Sequence, residues 1–273
     1  MPADFHNPAA TMARHRLTTK KSLGQNFLVD SVMAQAILDA LPPEPGAVVE
    51  IGAGPGTMTR ALAQTRDRVA AVELDSRLVP GLSAELAPFD GAVVVEGDAL
   101  DLPLADLLPG PYGVFGNIPY HITGLLIPHL LELRPAPEWV AVLVQLEVAE
   151  RLCAEPGGWS LATLAVRSMA TAELVLRVPA QAFDPEPKVD SALVLLRPHA
   201  RAAFADKEFF DFARAVFQER RKKLPNAVAN AFGHDVARGR AVVAGSGLDQ
   251  MRRPQTLNLD EWGVLYDAYR RAG

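Results

Sequence analysis

The feature that most constrains the fold is an apolar run that passes directly into a glycine-rich turn. Residues 47–51 have the pattern of a buried strand, residues 52–56 (GAGPG) form the turn, and residues 57–64 predict a helix. This order is typical of a nucleotide-binding site, because glycines let the backbone approach a ligand closely. A dinucleotide fingerprint needs a small residue where this chain has Thr57, so the spacing favours S-adenosylmethionine over a dinucleotide. A turn without a ligand is the alternative.

Strand and helix patterns then alternate along most of the chain, which predicts a mostly parallel, doubly wound α/β sheet. The predicted strands span residues 47–51, 69–72, 92–95, 112–115, 140–144, 174–178 and 191–196. The predicted helices span residues 32–41, 57–64, 77–86, 122–133, 146–154, 160–169 and 207–223. Strand patterns stop after Pro198, so the last part of the chain is expected to be helical.

Three successive strands are followed closely by a polar residue, namely Glu73, Asp98 and Asn117. Because ligands of open α/β sheets bind at the edge formed by the carboxyl ends of the strands, we expect these side chains to line one site. Glu73, 21 residues after Gly52, is placed to accept hydrogen bonds from both hydroxyls of a ribose. Asp98 is placed to accept one from the adenine amino group of a cofactor. Taken singly, each acid is more typical of a strand-end cap.

Residues 116–120 (GNIPY) have the types needed to methylate an exocyclic amine on a flat base. Such an amine is a poor nucleophile, because its lone pair is delocalised into the ring. If the side-chain oxygen of Asn117 and the carbonyl of Ile118 accept its two hydrogens, the nitrogen can pyramidalise towards a methyl donor. Tyr120 would stack on the base, and Pro119 fixes φ and removes a competing donor. Taken alone, the stretch is more typical of an ordinary turn.

Phe183 lies in a proline-stiffened loop, residues 181–190, whose prolines disfavour a helix. There it can oppose Tyr120 across a base, as aromatic side chains do when a base leaves its helix. Core packing is the commoner role of a single loop phenylalanine.

The charge of the chain is unevenly distributed. The net charge is −5, with +3 in residues 1–28, −12 in residues 29–199 and +4 in residues 200–273. Basic ends suggest contact with a polyanion such as RNA, although a solvated surface explains the asymmetry equally well. The candidate phosphate contacts are Lys20, Lys21, Arg220, Arg221, Lys222 and Lys223. The last four are expected at the end of the helix over 207–223, where they complement its dipole.

Several classes of protein are disfavoured by composition. Cys153 is the only cysteine, which excludes an internal disulfide and a thiolate metal cluster, and the six histidines have no ligand spacing. We therefore expect no metal. No apolar run is long enough to span a bilayer, and residues 1–21 lack an apolar signal core, so a cytoplasmic protein is expected. Residues 1–19 are polar and aperiodic, which predicts a flexible arm.

Taken together, the motifs resemble those of the ribosomal RNA adenine N6-dimethyltransferases, and most closely those of the bacterial enzymes that act on the small subunit. The matching segments are residues 20–28, 50–56, 73–75, 97–98, 117–120, 183–191 and 217–224. They cover most of the chain in the family's order. One departure is Ile118, where leucine is frequent; we expect no consequence, because the backbone carbonyl makes the contact.

The resemblance implies a seven-stranded S-adenosylmethionine-dependent methyltransferase sheet in residues 20–199 and a small helical RNA-binding domain in residues 200–273. It implies a monomer that dimethylates N6 of two adjacent adenosines in the 3′-terminal hairpin of 16S rRNA, within a small-subunit precursor, and leaves S-adenosylhomocysteine. The residues expected to bind the cofactor are Gln25, Asn26, Leu28, Gly52, Gly54, Glu73, Asp98 and Asn117. Those expected at the target amine are Asn117, Ile118, Pro119 and Tyr120, with Phe183 stacking on the base.

Four other functions are kept as alternatives. A large-subunit rRNA methyltransferase that confers macrolide resistance shares the sheet motifs, and a DNA adenine methyltransferase shares the amine chemistry. A non-catalytic RNA-binding assembly factor is disfavoured by the intact glycine turn and amine-binding stretch. A nicotinamide-dependent oxidoreductase is disfavoured by Thr57.

Overall fold

The computed structural model describes residue 5 and residues 8–14, 17–20, 23–200 and 207–272. Its strands are β1 Phe27–Leu28, β2 Ala47–Ile51, β3 Arg68–Glu73, β4 Ala92–Glu96, β5 Gly113–Asn117, β6 Trp139–Gln145, β7 Ala170–Val178, β8 Phe183–Asp184 and β9 Ser191–Pro198. Its α-helices are α1 Pro8–Arg14, α2 Ser31–Ala40, α3 Thr57–Thr65, α4 Val79–Leu86, α5 Thr123–Glu132, α6 Leu146–Leu152, α7 Leu161–Met169, α8 Lys207–Gln218, α9 Leu224–Ala231, α10 Val236–Ser246 and α11 Leu259–Ala272.

Seven strands form one sheet in the order β4-β3-β2-β5-β6-β9-β7. The five strands from β4 to β6 run parallel, and β9 is antiparallel to β6. β2 lies in the middle and all five of its residues are buried, as expected for a parallel strand covered on both faces. The predicted doubly wound, mostly parallel sheet is confirmed, and it brings the ends of β2, β3, β4 and β5 to one edge.

The short strands β1 and β8 pair outside the main sheet. Phe27 lies opposite Asp184 and Leu28 opposite Phe183 in this antiparallel ladder. Two residues in each strand are too few for a periodicity signal, so no pattern in the sequence indicated the ladder. The ladder ties the segment before α2 to the loop before β9.

Of the predicted flexible arm, only residues 5, 8–14 and 17–19 are among the described residues. Residues 8–14 form α1, with Thr11 and Met12 buried. Arg14 Nη1 lies 2.6 Å from Oε1 of Glu85 on α4. Residues 8–14 thus form a helix although the sequence lacks a helical repeat there, since a buried face and an ion pair can compensate for weak local propensity.

The cationic run also differs from its prediction. α8 ends at Gln218, and the next residues form a turn in which the amide of Arg220 donates to the carbonyl of Phe217. Pro225 does not close α8; it lies in the first turn of α9, where its missing N–H has no helical partner to lose. The four cations therefore follow a helix end rather than extend a helix.

The chain forms two compact units, Met1–Ala149 with Ala172–Pro198, and Glu150–Thr171 with His199–Gly273. The second unit includes residues that the prediction placed in the first domain. Trp159 and Leu164 pack in one core with the aromatic side chains of α8 and α11, and the rings of Phe217 and Trp262 are stacked with centroids 4.8 Å apart. α7 thus completes a helical core that residues 200–273 do not build alone.

Candidate active site at the sheet edge

A pocket opens at the sheet edge where the strands β2, β3, β4 and β5 end. Ten of the predicted site residues line it: Gln25, Asn26, Gly52, Gly54, Glu73, Asp98, Asn117, Ile118, Pro119 and Tyr120. They come from five separate segments, so the fold brings together residues that are up to almost a hundred positions apart in the sequence. The prediction that polar strand ends share one site is therefore consistent with the geometry.

The glycine turn allows two close approaches. Gly52 has φ +73°, and a Cβ there would lie 3.4 Å from the carbonyl oxygen of Asn117. Gly54 has φ +58°, and a Cβ there would lie 3.0 Å from the ring of Phe27. Residues other than glycine are strained at these φ values. Glycine at both positions therefore lets the turn pack closely against Asn117 and Phe27.

Glu73 connects the end of β3 to the glycine turn. Its carboxylate accepts hydrogen bonds from the amides of Gly54 and Asp75, each at 2.7 Å. Burial raises the pKa of Glu73 above its usual value, although backbone donors, chiefly the amides of Asp75 and Gly54, partly oppose this increase. A carboxylate has about four acceptor sites, so two are left to face a ligand.

A second carboxylate holds the segment before α2 in place. Gln25 donates to Asp75 Oδ2 at 3.1 Å, and its own side-chain oxygen accepts from the amide of Lys20 at 2.7 Å. The guanidinium of Arg77 hydrogen-bonds both oxygens of Asp75 and lowers the pKa of that carboxyl to about 2. Asp75 is therefore ionised at any physiological pH and is a stable anchor for the pocket wall.

The side chain of Asn117 is oriented by one hydrogen bond. Its Nδ2 donates to the backbone carbonyl of Asn26 at 2.9 Å. An amide that uses its nitrogen in this way has its oxygen, Oδ1, turned in the other direction. Since Asn117 is half-buried and lines the pocket, its amide is held in one orientation at the pocket wall.

Tyr120 is also held from behind. Its hydroxyl lies 2.8 Å from Oγ of Ser191, at the start of β9. Ser191 is 1% exposed, so the contact is protected from water. Burial raises the pKa of Tyr120, which keeps the phenol neutral. A ring fixed at its hydroxyl end presents a defined face to the pocket.

Two predicted site residues lie elsewhere. Leu28 and Phe183 face each other in the β1–β8 ladder, each 3% exposed, and both belong to the hydrophobic core. Neither lines the pocket. As placed, the ring of Phe183 fills the core rather than opposing Tyr120, and both assigned roles remain predictions.

Phe183→Ala is expected to destabilise the protein by about 3 kcal/mol, because a buried ring is replaced by a cavity. Urea unfolding monitored by tryptophan fluorescence measures this loss. Phe183→Leu keeps most of the volume and tests the stacking role separately. A tenfold to hundredfold loss of turnover at unchanged stability, roughly the value of one stacked base, would support stacking, whereas retained turnover would assign Phe183 to packing alone.

Several residues that line the pocket were not among the predicted site residues, and Phe27 is one of them. Phe27 lines the pocket, with its ring against Gly54, although only its neighbours Gln25, Asn26 and Leu28 were predicted to act there. Alternation along a strand supplies the missing signal: Leu28 points into the core, so Phe27 points the other way.

The predicted phosphate contacts are divided by the structure. Lys20 is exposed and Lys21 lies outside the described residues. Arg220 and Arg221 line a surface pocket of the second unit, together with Arg151 and Arg253, around the loop 157–160. Lys222 and Lys223 do not line it; Lys222 pairs with Glu219 at 3.1 Å, and Lys223 contacts the sulfur of Met251. We call this four-arginine surface the arginine pocket.

The described part of the chain offers neither a metal cluster nor a membrane span. It contains no group of three or more His, Cys, Asp or Glu side chains arranged to hold a metal ion. Within the same residues, every helix is too short or too polar to cross a membrane.

Comparison with known proteins places the chain in a family. The model of that family, "Ribosomal RNA adenine dimethylase", matches residues 16–262. The ribosomal RNA small subunit methyltransferase A of Desulfitobacterium hafniense is 41% identical over 91% of both chains. The crystal structure of a Plasmodium falciparum dimethyladenosine transferase shares the fold, with a TM-score of 0.76, 24% identity, and coverage of 89% of this chain and 97% of that one. That of the 23S rRNA methyltransferase ErmE has a TM-score of 0.68 and 27% identity, covering 89% and 99%. The chain therefore belongs to the ribosomal RNA adenine dimethylase family.

Proposed function

We propose that this chain dimethylates N6 of two adjacent adenosines in the 3′-terminal hairpin of small-subunit rRNA, using S-adenosylmethionine, during assembly of the subunit. The observation that carries the proposal is the hydrogen bond that orients the amide of Asn117, in a pocket that Gly52, Gly54 and Tyr120 also line. The choice of subunit is supported by 41% identity to a small-subunit enzyme, against 27% to a 23S rRNA enzyme.

The donor set of the pocket fits S-adenosylmethionine. Glu73 keeps acceptor sites for the two ribose hydroxyls, since its other sites hold Gly54 and Asp75. One oxygen of Asp98 accepts from the amide of Leu100, which leaves the other for the adenine amino group. The apolar walls that suit a purine ring are Val72, Leu74, Ala99 and Leu100. When bound, the cofactor supplies an electrophilic methyl group on a sulfonium.

The protein's part in transfer is to position and polarise the target amine. Oδ1 of Asn117 and the carbonyl of Ile118 accept its two hydrogens, which localises the lone pair on nitrogen and stabilises the charge that develops there. Tyr120 stacks on the adenine after it leaves its helix, at a cost of a few kcal/mol. The amine becomes cationic on methylation and then releases a proton, so no general base is needed.

The arginine pocket is the proposed contact for the RNA backbone. Four guanidiniums from three separate segments surround one concave surface, and guanidinium matches phosphate bidentately. Phosphate contacts of this kind position an RNA without reading its sequence. A cytoplasmic location, predicted from the sequence, and a monomeric state, implied by the resemblance, accompany this proposal.

A labelled-methyl assay tests the function. Purified protein and S-adenosylmethionine are incubated with unmethylated small subunits, large-subunit precursors, each free rRNA and duplex DNA. Label is expected on the small-subunit rRNA, as dimethyladenosine at two neighbouring positions when the product is mapped. Label on large-subunit rRNA or on DNA would replace this assignment with the corresponding alternative. Binding of small subunits without any label would indicate a non-catalytic assembly factor.

A further inference from the structure

A fully enclosed carboxyl group lies directly behind the sheet-edge pocket and takes no part in the chemistry above. Glu50 on β2 is 3% exposed, and its Oε2 has no hydrogen-bond partner among the described residues. An ionised carboxylate is costly to bury without a partner, so such a group tends to hold its proton.

The strand register places Glu50 next to the cofactor wall. Glu50 pairs with Ala71 on β3, so Glu73, two residues further along β3, lies on the same face and one step nearer the pocket. Glu73 lines the pocket and Glu50 does not. The carboxyl groups of Glu50 and Glu73 therefore lie on the same face of the sheet, with Glu50 in the interior and Glu73 at the pocket.

The groups that face Glu50 explain its ionisation. β3 contributes the charge of Glu73, α3 contributes the hydroxyl of Thr59, and β5 contributes apolar Phe115 at the paired position. Burial is the main cause that raises the pKa of Glu50, Thr59 lowers it and the charge of Glu73 raises it, and the net result is a pKa of about 8. Burial also raises the pKa of Glu73, although its two backbone donors favour the ionised form. With a pKa of about 8, Glu50 holds its proton at neutral pH.

We propose that Glu50 is a proton store coupled to the charge of the ligand: it loses its proton when the cationic methyl donor binds and regains it when the product remains. This inference rests on the proposed function, because the donor carries a sulfonium and S-adenosylhomocysteine a neutral thioether. A positive charge in the pocket stabilises a nearby carboxylate. On binding, the O–H bond of Glu50 breaks and the proton passes to the solvent; the reverse follows methyl transfer.

Isothermal titration calorimetry tests the inference. Donor and product are each titrated into the protein at pH 7 in two buffers that differ in ionisation enthalpy, which counts the protons released. The donor is expected to release roughly half to one proton more than the product. Glu50→Gln, a neutral isostere, is expected to abolish this difference. Glu85→Gln is the matched control: Glu85 is also buried but pairs with Arg14 and lies away from the pocket, so the difference should persist.

Equal proton release by donor and product in the natural protein, or an unchanged difference in Glu50→Gln, would overturn the inference. If that variant does not fold, the natural protein still decides. In the natural protein, the ratio of the affinity for the donor to the affinity for the product should rise with pH, by up to about tenfold per pH unit, and level off above the pKa of about 8. A ratio that does not change with pH would contradict the inference. Failure of both ligands to bind would instead refute the proposed function, and this inference with it.

Discussion

Asn117→Ala is expected to lower the rate of methyl transfer by a factor of 10² to 10³, roughly the cost of removing one acceptor or donor aimed at transition-state charge. The variant loses Oδ1, the proposed acceptor of an amine hydrogen, while Glu73 at the end of β3 and Asp98 after β4 keep their places. Affinity for S-adenosylmethionine should therefore change only a few-fold. Single-turnover transfer to unmethylated small subunits, with calorimetry for the cofactor, measures both quantities.

Two further variants serve as controls for Asn117→Ala. Asn117→Asp keeps an oxygen but loses the nitrogen that donates to the carbonyl of Asn26, so the side chain is no longer held. It should also be slow, which would separate orientation from the mere presence of an acceptor. Asn226→Ala, an exposed asparagine on α9, should transfer normally. Turnover of Asn117→Ala close to that of the natural protein would remove Asn117 from the mechanism.

The sheet was predictable because its signals are local and repeated. β2 is an unbroken apolar run closed by a glycine turn, and its helix begins at the predicted residue, Thr57. The ends of β3 and β5 were predicted to lie at the same edge of the sheet as the end of β2, because parallel strands run in the same direction. Residue type and position at a strand end were thus enough to predict that Glu73, Asp98 and Asn117 line one pocket.

What the sequence did not reveal depends on contacts between distant segments. The hydrogen bond from Asn117 to Asn26 spans 91 positions, and nothing local to either residue announces it. Phe183 is another case: its loop was identified, but its burial comes from pairing with Leu28, which no pattern encodes. Arg151 was likewise not predicted to join Arg220, because the two residues are far apart in sequence and no local pattern relates them.

Neutralising the arginine pocket is expected to cause a large loss of affinity for small subunits. With Arg151, Arg220, Arg221 and Arg253 all changed to glutamine, affinity for small subunits should fall by about two orders of magnitude at low salt. The slope of log affinity against log salt should become shallower by roughly 0.7 to 0.9 for each phosphate that the variant no longer neutralises. Filter binding between about 50 and 200 mM salt measures both the affinity and the slope.

The contribution of the pocket is separated from that of charge alone by a matched pair of double variants. Arg151→Gln with Arg253→Gln removes two charges from the pocket without touching the predicted run 220–223. Arg214→Gln with Arg240→Gln removes two charges from exposed positions outside it, and Arg214 is already paired with Asp211. The first pair should weaken binding and flatten the salt slope, and the second should do neither to a comparable extent. Because counterion release counts the phosphates that the protein neutralises, equal slopes for the two pairs would mean that these arginines are solvated surface, and the RNA would have to be held elsewhere.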